Sequence, residues 1–202
     1  MIGYDILTDD LDHGRRLARE QGLADDRVRF ATPPGPDIAG VCDVVVSQNS
    51  FEHYADPESV LATMVRLLRP GGLLLLSWGP PWYSPNGGHT RFFCWLPWVH
   101  LLFPEQAVMA HRARFRDDGA TRYEDIEGSL NRMTVARCER LVAASGLDVE
   151  AVHRTCIKRL QPLGAMPVLR EMATGHLSYV LRRPTSTHDR RHASGRNSTS
   201  TV

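Results

Sequence analysis

Cys42-Asp-Val-Val-Val-Ser-Gln-Asn-Ser-Phe-Glu-His-Tyr-Ala-Asp-Pro57, continued by Arg66-Leu-Leu-Arg-Pro-Gly-Gly-Leu-Leu-Leu-Leu-Ser77, decides the fold. Cys42 to Ser47 is an apolar, β-branched run, the pattern of a strand buried on both faces. Gln48 to Tyr54 is a polar loop. Asp56-Pro57 starts a helix, because Asp can cap it and Pro suits its first turn. Val60, Leu61, Met64, Leu67 and Leu68 form the helix's apolar stripe. Pro70-Gly71-Gly72 ends it, and Leu73 to Ser77 returns as a second buried strand. Strand, helix and strand in this order predict neighbouring parallel strands.

The pattern extends in both directions. Upstream, Ile2-Gly-Tyr-Asp-Ile6 reads as a strand. Thr8 or Asp9 caps a helix with Leu11, Leu17 and Ala18 on its periodic positions and a stop at Gly22. Arg27-Val-Arg-Phe30 alternates as a short half-buried strand, and Thr32-Pro-Pro-Gly-Pro36 is a loop. Downstream, Gly79 to about Gly128 breaks the rhythm with a rigid aromatic loop, Gly79 to His89, and then a charged helical part. Thr134 caps a further helix ending at Gly146. Leu147 to Val152 and Leu177 to Leu181 are closing strands, with a short helical piece between Leu160 and Ala173. From Pro184 the composition turns to Ser, Thr, Arg and His, which predicts a disordered tail over 184–202. The expectation is one α/β domain over 1–183, a Rossmann-like and mostly parallel sheet with flanking helices, carrying an insertion over 79–128.

Composition bounds the function. The chain has 202 residues, 42% hydrophobic and 23% charged, which is ordinary for a globular domain. A formal net charge of +1 gives no overall pull toward nucleic acid or anionic membrane. Cys42, Cys94, Cys138 and Cys156 are widely spaced, without the paired pattern of a zinc site or a disulfide framework. Cys42 is read as a small hydrophobe in its strand. No leader pattern marks secretion, and Phe92 to Phe103 is too short to span a bilayer, so the expected location is cytoplasmic. Arg182, Arg183, Arg190 and Arg191 have no aromatic interleaving and read as a solvated tail rather than a nucleic-acid surface.

Ile2-Gly-Tyr-Asp-Ile6, Cys42-Asp-Val-Val-Val-Ser47, the loop Gln48 to His53 and Arg69-Pro-Gly-Gly72 together resemble the class I S-adenosylmethionine-dependent methyltransferases, of the type 11-like kind. Each piece alone is weak; the order and spacing carry the likeness. The resemblance implies S-adenosylmethionine as cofactor. It implies that Asp5, with Ile6 beside it, holds the ribose, since a carboxylate offers paired acceptors for two hydroxyls. It also implies that Ser47, Gln48, Asn49 and Ser50 line the methionine end.

Two departures stand out. The family's opening strand and its glycine-rich loop would lie upstream of Met1. That strand lies at mid-sheet, between those formed by Ile2–Ile6 and Cys42–Ser47, so its absence leaves backbone groups unpaired. In addition, Ala31-Thr-Pro-Pro-Gly35 replaces the acid usually found near the adenine.

The acceptor side is read from residue chemistry. Methyl transfer needs alignment, and a base only where the nucleophile must lose a proton. His53 and His89 are the candidates for that role, His89 because Asn86-Gly87-Gly88 permits close backbone approach. Trp82, Tyr83, His89, Trp95, Trp98 and His100 form a candidate pocket wall or lid, or a simple cover for the sheet end. The expected activity is methyl transfer to a small molecule. The alternatives are a chain with an earlier start, a non-catalytic truncated remnant, and a binding module of the same fold. A nicotinamide-dependent oxidoreductase would also use Asp5, but no Tyr-x-x-x-Lys pair accompanies it.

Overall fold

The structure is a computed structural model that describes residues 1–5, 8–23, 27–32, 38–126, 129–158, 160–161, 166 and 169–185. The expected loop at 33–36, the end of the insertion at 127–128 and the tail from 186 lie outside the described residues, as does Ile6. The chain divides into two compact units, Met1–Val41 and Cys42–Val202.

The first unit is a small strand–helix–strand. β1 (Ile2–Tyr4) pairs in parallel with β2 (Arg29–Ala31), and α1 (Thr8–Glu20) connects them. Leu11 and Val28 are its buried apolar side chains. Phe30 lies so close to α1 that a Cβ on Gly14 would stand 2.6 Å from its ring, which explains the glycine in mid-helix.

The second unit holds a four-stranded sheet of order β3-β4-β6-β5, formed by β3 (Cys42–Gln48), β4 (Leu68–Trp78), β5 (Asp148–Cys156) and β6 (Thr174–Arg182). β3 and β4 are parallel, joined through α2 (Pro57–Leu67), while β6 runs antiparallel to both of its neighbours. As expected, Asp56 caps α2 by accepting from the Ser59 N–H at 3.1 Å. Thr134 caps α5 (Val135–Ala144) through the Arg137 N–H at 3.0 Å. The insertion carries α3 (Val99–Leu102) and α4 (Glu105–Arg112), and α6 (Arg170–Ala173) precedes β6.

Leu61 and Met64 of α2, Cys138 and Val142 of α5, and Leu74, Leu76, Trp78, Leu177, Tyr179 and Leu181 of the sheet form one core. A smaller core of Val99, Val108, Met109, Ala120, Tyr123 and Leu130 holds the insertion.

Two expectations are corrected. β3 is buried on one face only: Val44 and Val46 are 48% and 63% exposed. α2 and α5 cover the opposite side of the sheet, toward which Val45 and Ser47 point, and β3 is an edge strand with β4 as its sole described neighbour. Arg69-Pro70-Gly71-Gly72 is also not a turn ahead of the strand. It lies within β4 as an irregularity, where Cys42 pairs with Leu68 but Val44 with Leu73, and Gly71 takes φ +78.

Among the described residues no strand pairs with the outer edge of β3, and the strands form two sheets rather than one.

Candidate active site at the ends of β3 and β4

β3 delivers the chain to Asn49, whose φ of +52 turns it sharply, and then to a 3₁₀ turn at Phe51–His53. Phe51 is fully buried in the main core and anchors that turn. Its neighbour Glu52 is buried too, at 2% exposure. Glu52 Oε1 accepts the Gly79 N–H at 3.2 Å, just past the end of β4, while Oε2 has no partner. Burial raises the carboxyl above its ordinary range. His53 follows, with Nδ1 2.8 Å from the Ser129 carbonyl oxygen. That oxygen only accepts, so Nδ1 carries the proton and Nε2 keeps its lone pair.

The turn is held from below by Asn131. Its Nδ2 donates to the carbonyls of Phe51 and Tyr54 at 2.9 and 2.7 Å, and its backbone N–H donates to Glu52 at 3.0 Å.

The loop after β4 brings His89 to the same place. A Cβ on Gly87 would stand 2.1 Å from the Trp82 carbonyl oxygen, and one on Gly88 would stand 2.5 Å from the His100 Cβ. Only glycine fits this close packing. His89 itself has φ +52, and its ring lies 5.0 Å from that of His53 in an edge-to-face arrangement. His89 Nε2 is buried without a partner. Burial first, then the nearby charges of His53 and His100, lowers its pKa to about 4, so it is neutral at physiological pH.

His100 backs this cluster, with Nε2 2.6 Å from the Trp82 carbonyl oxygen. The Trp82 ring stands edge-on to His100 at 4.7 Å and to Tyr123 at 5.1 Å.

Of the residues singled out in the sequence, His53, His89, Trp82 and His100 therefore converge. Tyr83 and Trp98 form a second, outer pair, joined by the Trp98 indole N–H donating to the Tyr83 carbonyl at 3.0 Å. Trp95 is 78% exposed, with the Arg91 guanidinium 4.5 Å over its ring.

Of the residues expected at the cofactor, Gln48 and Asn49 are exposed and Ser50 is half-buried at the end of β3. Asn49 Oδ1 meets His176 Nε2 at 2.9 Å. Ser47 is buried and its hydroxyl meets the Tyr54 hydroxyl at 3.1 Å, so it supports the loop from inside. Asp5 belongs to the first unit and is exposed at the end of β1.

Glu52, Ser129 and Asn131 are the residues that sequence reasoning missed. The only available signal was the adjacency of Glu52 to His53. The Asn131-Arg132-Met133-Thr134 stretch showed no more than its cap.

Comparison with known proteins agrees with this architecture. A family model for a methyltransferase domain matches residues 1–76. An uncharacterized methyltransferase from Mycobacterium avium (strain 104) is 31% identical over 174 residues, covering 85% of this chain and 65% of the relative. Another, from Mycobacterium sp. (strain JLS), is 46% identical over 155 residues, covering 77% of this chain and 58% of the relative. The chain thus spans between about half and two thirds of the length of the curated relatives it matches.

Among solved structures, a geranyl diphosphate methyltransferase in complex with S-adenosylmethionine superposes with a TM-score of 0.55 at 20% identity, covering 90% of this chain and 68% of that one. The cyclase SpnF superposes equally well, at 0.55 and 14% identity, covering 92% and 66%. In sequence the chain is similar to methyltransferases, and in fold to the class I S-adenosylmethionine-dependent methyltransferases. S-adenosylmethionine is the cofactor of that class.

Proposed function

We propose that the protein transfers a methyl group from S-adenosylmethionine to a small-molecule acceptor held beside His53 and His89. The observation that carries this reading is the meeting of those two imidazoles, 5.0 Å apart, at the carboxyl ends of β3 and β4. Open α/β sheets bind their ligands beyond that edge. Gln48 and Asn49 offer exposed amides there, and Ser50 a hydroxyl, a donor and acceptor set suited to the ammonium and carboxylate of an amino acid. Ser47 supports them through its buried hydroxyl.

Bound there, the cofactor supplies a methyl carbon on a sulfonium, whose C–S bonding pair stays with sulfur as the acceptor atom bonds to the carbon. The chain's own residues align the acceptor and take its proton. His53 Nε2 has its lone pair free because Nδ1–H is committed to Ser129. His89 stays neutral because it is buried, so it can accept a hydrogen bond from a hydroxyl.

Trp82 and His100 form the inner wall, and Tyr83 and Trp98 the outer one. The insertion over 79–128 is the lid of this site. Aromatic and imidazole walls suit a compact organic acceptor better than a nucleic acid. No helix among the described residues is long and apolar enough to cross a membrane.

A second reading is a non-catalytic module of the same fold. Its support is the division of the strands into two sheets. Incubation with methyl-tritiated S-adenosylmethionine and a panel of small hydroxyl, amine and carbon acceptors separates the two readings. Label in an organic product, absent with His53→Gln and His89→Asn, is the outcome expected of the enzyme. A folded chain that labels nothing across the panel favours the module.

A further inference from the structure

We propose that Glu52, His53 and His89 bind a divalent transition-metal ion at the acceptor end of the site. Each residue offers one ligand atom, and the three atoms lie within 4.8 Å of one another. Glu52 Oε2 and His89 Nε2 are both buried without any hydrogen-bond partner. Buried polar atoms are almost always satisfied, so an orphan on each of two residues of the same cluster calls for an occupant. No ion pair of the described residues involves Glu52, although it is 98% buried (2% exposed), so a cation there supplies the missing countercharge.

The supports around the three residues match those of a metal centre. His53 donates Nδ1–H to a backbone carbonyl, the outer contact that fixes a ligating imidazole with its other nitrogen ready. Glu52 is fixed through its other oxygen by the Gly79 N–H. The left-handed backbone of His89, wedged behind two glycines with no room for a side chain, aims its ring at the cluster.

Two imidazoles and one carboxylate favour zinc or another first-row ion over magnesium or calcium, which prefer oxygen donors throughout. Three protein ligands leave at least one position open, as in catalytic rather than structural sites. Metal–ligand bonds of about 2.0–2.1 Å place tetrahedral ligand atoms roughly 3.3 Å apart, so the cluster draws together as the ion binds.

Metal binding does not depend on methyl transfer. Where both hold, His53 and His89 serve as ligands instead of proton acceptors, and an oxygen of the acceptor at the open position would be favoured in its ionised form by the ion.

The test uses the whole 202-residue chain, stripped with a chelator. It is titrated calorimetrically with Zn²⁺ and, by visible absorption, with Co²⁺. The expected result is one ion per chain at micromolar affinity or tighter, with cobalt bands of low coordination number and no competition from millimolar Mg²⁺. Glu52→Gln and His89→Asn each weaken zinc binding by about 100-fold or more, since even outer-shell losses cost 10–100-fold. Asn keeps the left-handed backbone accessible at position 89. His13→Gln, on α1, leaves binding unchanged and reports on adventitious sites.

Absence of stoichiometric binding overturns the proposal, and so does zinc affinity that survives both ligand variants. Circular dichroism shows that the variants fold, and His53→Gln replaces either one that does not. Titration of S-adenosylhomocysteine into the same samples separates loss of the metal from failure of the methyl-transfer reading.

Discussion

Along the sheet of the second unit, alternate residues of β4 and β6 bury together against α2 and α5: Leu74, Leu76 and Trp78 beside Leu177, Tyr179 and Leu181. The insertion between β4 and α5 also buries its core, but with polar groups left over. Of the six buried side-chain atoms without a partner among the described residues, Trp78 Nε1 alone belongs to the sheet. The others are in the insertion (His89, His100, Tyr123), on Glu52, which accepts from Gly79 at its start, or on Asn131, which holds the Glu52 turn. The insertion also holds the positive-φ residues His89 and Trp98. Local rules of polar satisfaction and backbone comfort are kept where stability is made and broken where a ligand is expected. The two regions should therefore respond oppositely to mutation.

The largest separation is expected at His89. His89→Asn should lower methyl-transfer kcat by roughly 100-fold, the low end of the range for acid–base groups. Its midpoint in urea should stay about level, because Asn tolerates the left-handed backbone and the lost ring carried an unsatisfied buried nitrogen. A destabilised variant with full activity would erase the contrast.

In the sheet, Trp78→Ala should cost about 3–5 kcal/mol by chemical denaturation, since Trp78 is fully buried. Val46→Ala, on the exposed face of β3, should shift stability by no more than about 0.5 kcal/mol. Comparable losses at both positions would mean that the open face is covered in solution.

The smallest effect belongs to the ion pair that stiffens the insertion. Arg112 Nη1 and Nη2 meet the two carboxylate oxygens of Asp118 at 2.6 and 2.5 Å. The guanidinium holds Asp118 well below the usual carboxylate range. Because its folded-state pKa is depressed, the stabilisation is present above the unfolded value near pH 4 and fades as the pH falls toward the folded one. Thermal scans from pH 5 to pH 2 should therefore show a shallower acid decline for Asp118→Asn. Parallel curves would contradict that role.

The contrast also explains what the sequence could show. The frame of strands and the Asp56 and Thr134 caps follow from periodicity and capping chemistry. The one-sided burial of β3 does not, because Val44-Val-Val46 fits a strand covered on one face or on two. In the site, His53 and His89 were visible as a polar loop and a Gly-Gly-His turn. Their meeting depends on a chain reversal through Trp82 and His100 that no local pattern encodes. Glu52 was hidden for the same reason, since its burial rests on the Gly79 N–H, far along the chain.

Calorimetric titration of S-adenosylhomocysteine into the 202-residue chain tests the central claim most directly, because it needs no knowledge of the acceptor. Saturable binding at one site per chain, weakened by substitution of Asp5 or Gln48, is the expected result. A folded chain that gives no binding heat at millimolar ligand would contradict the methyl-transfer account.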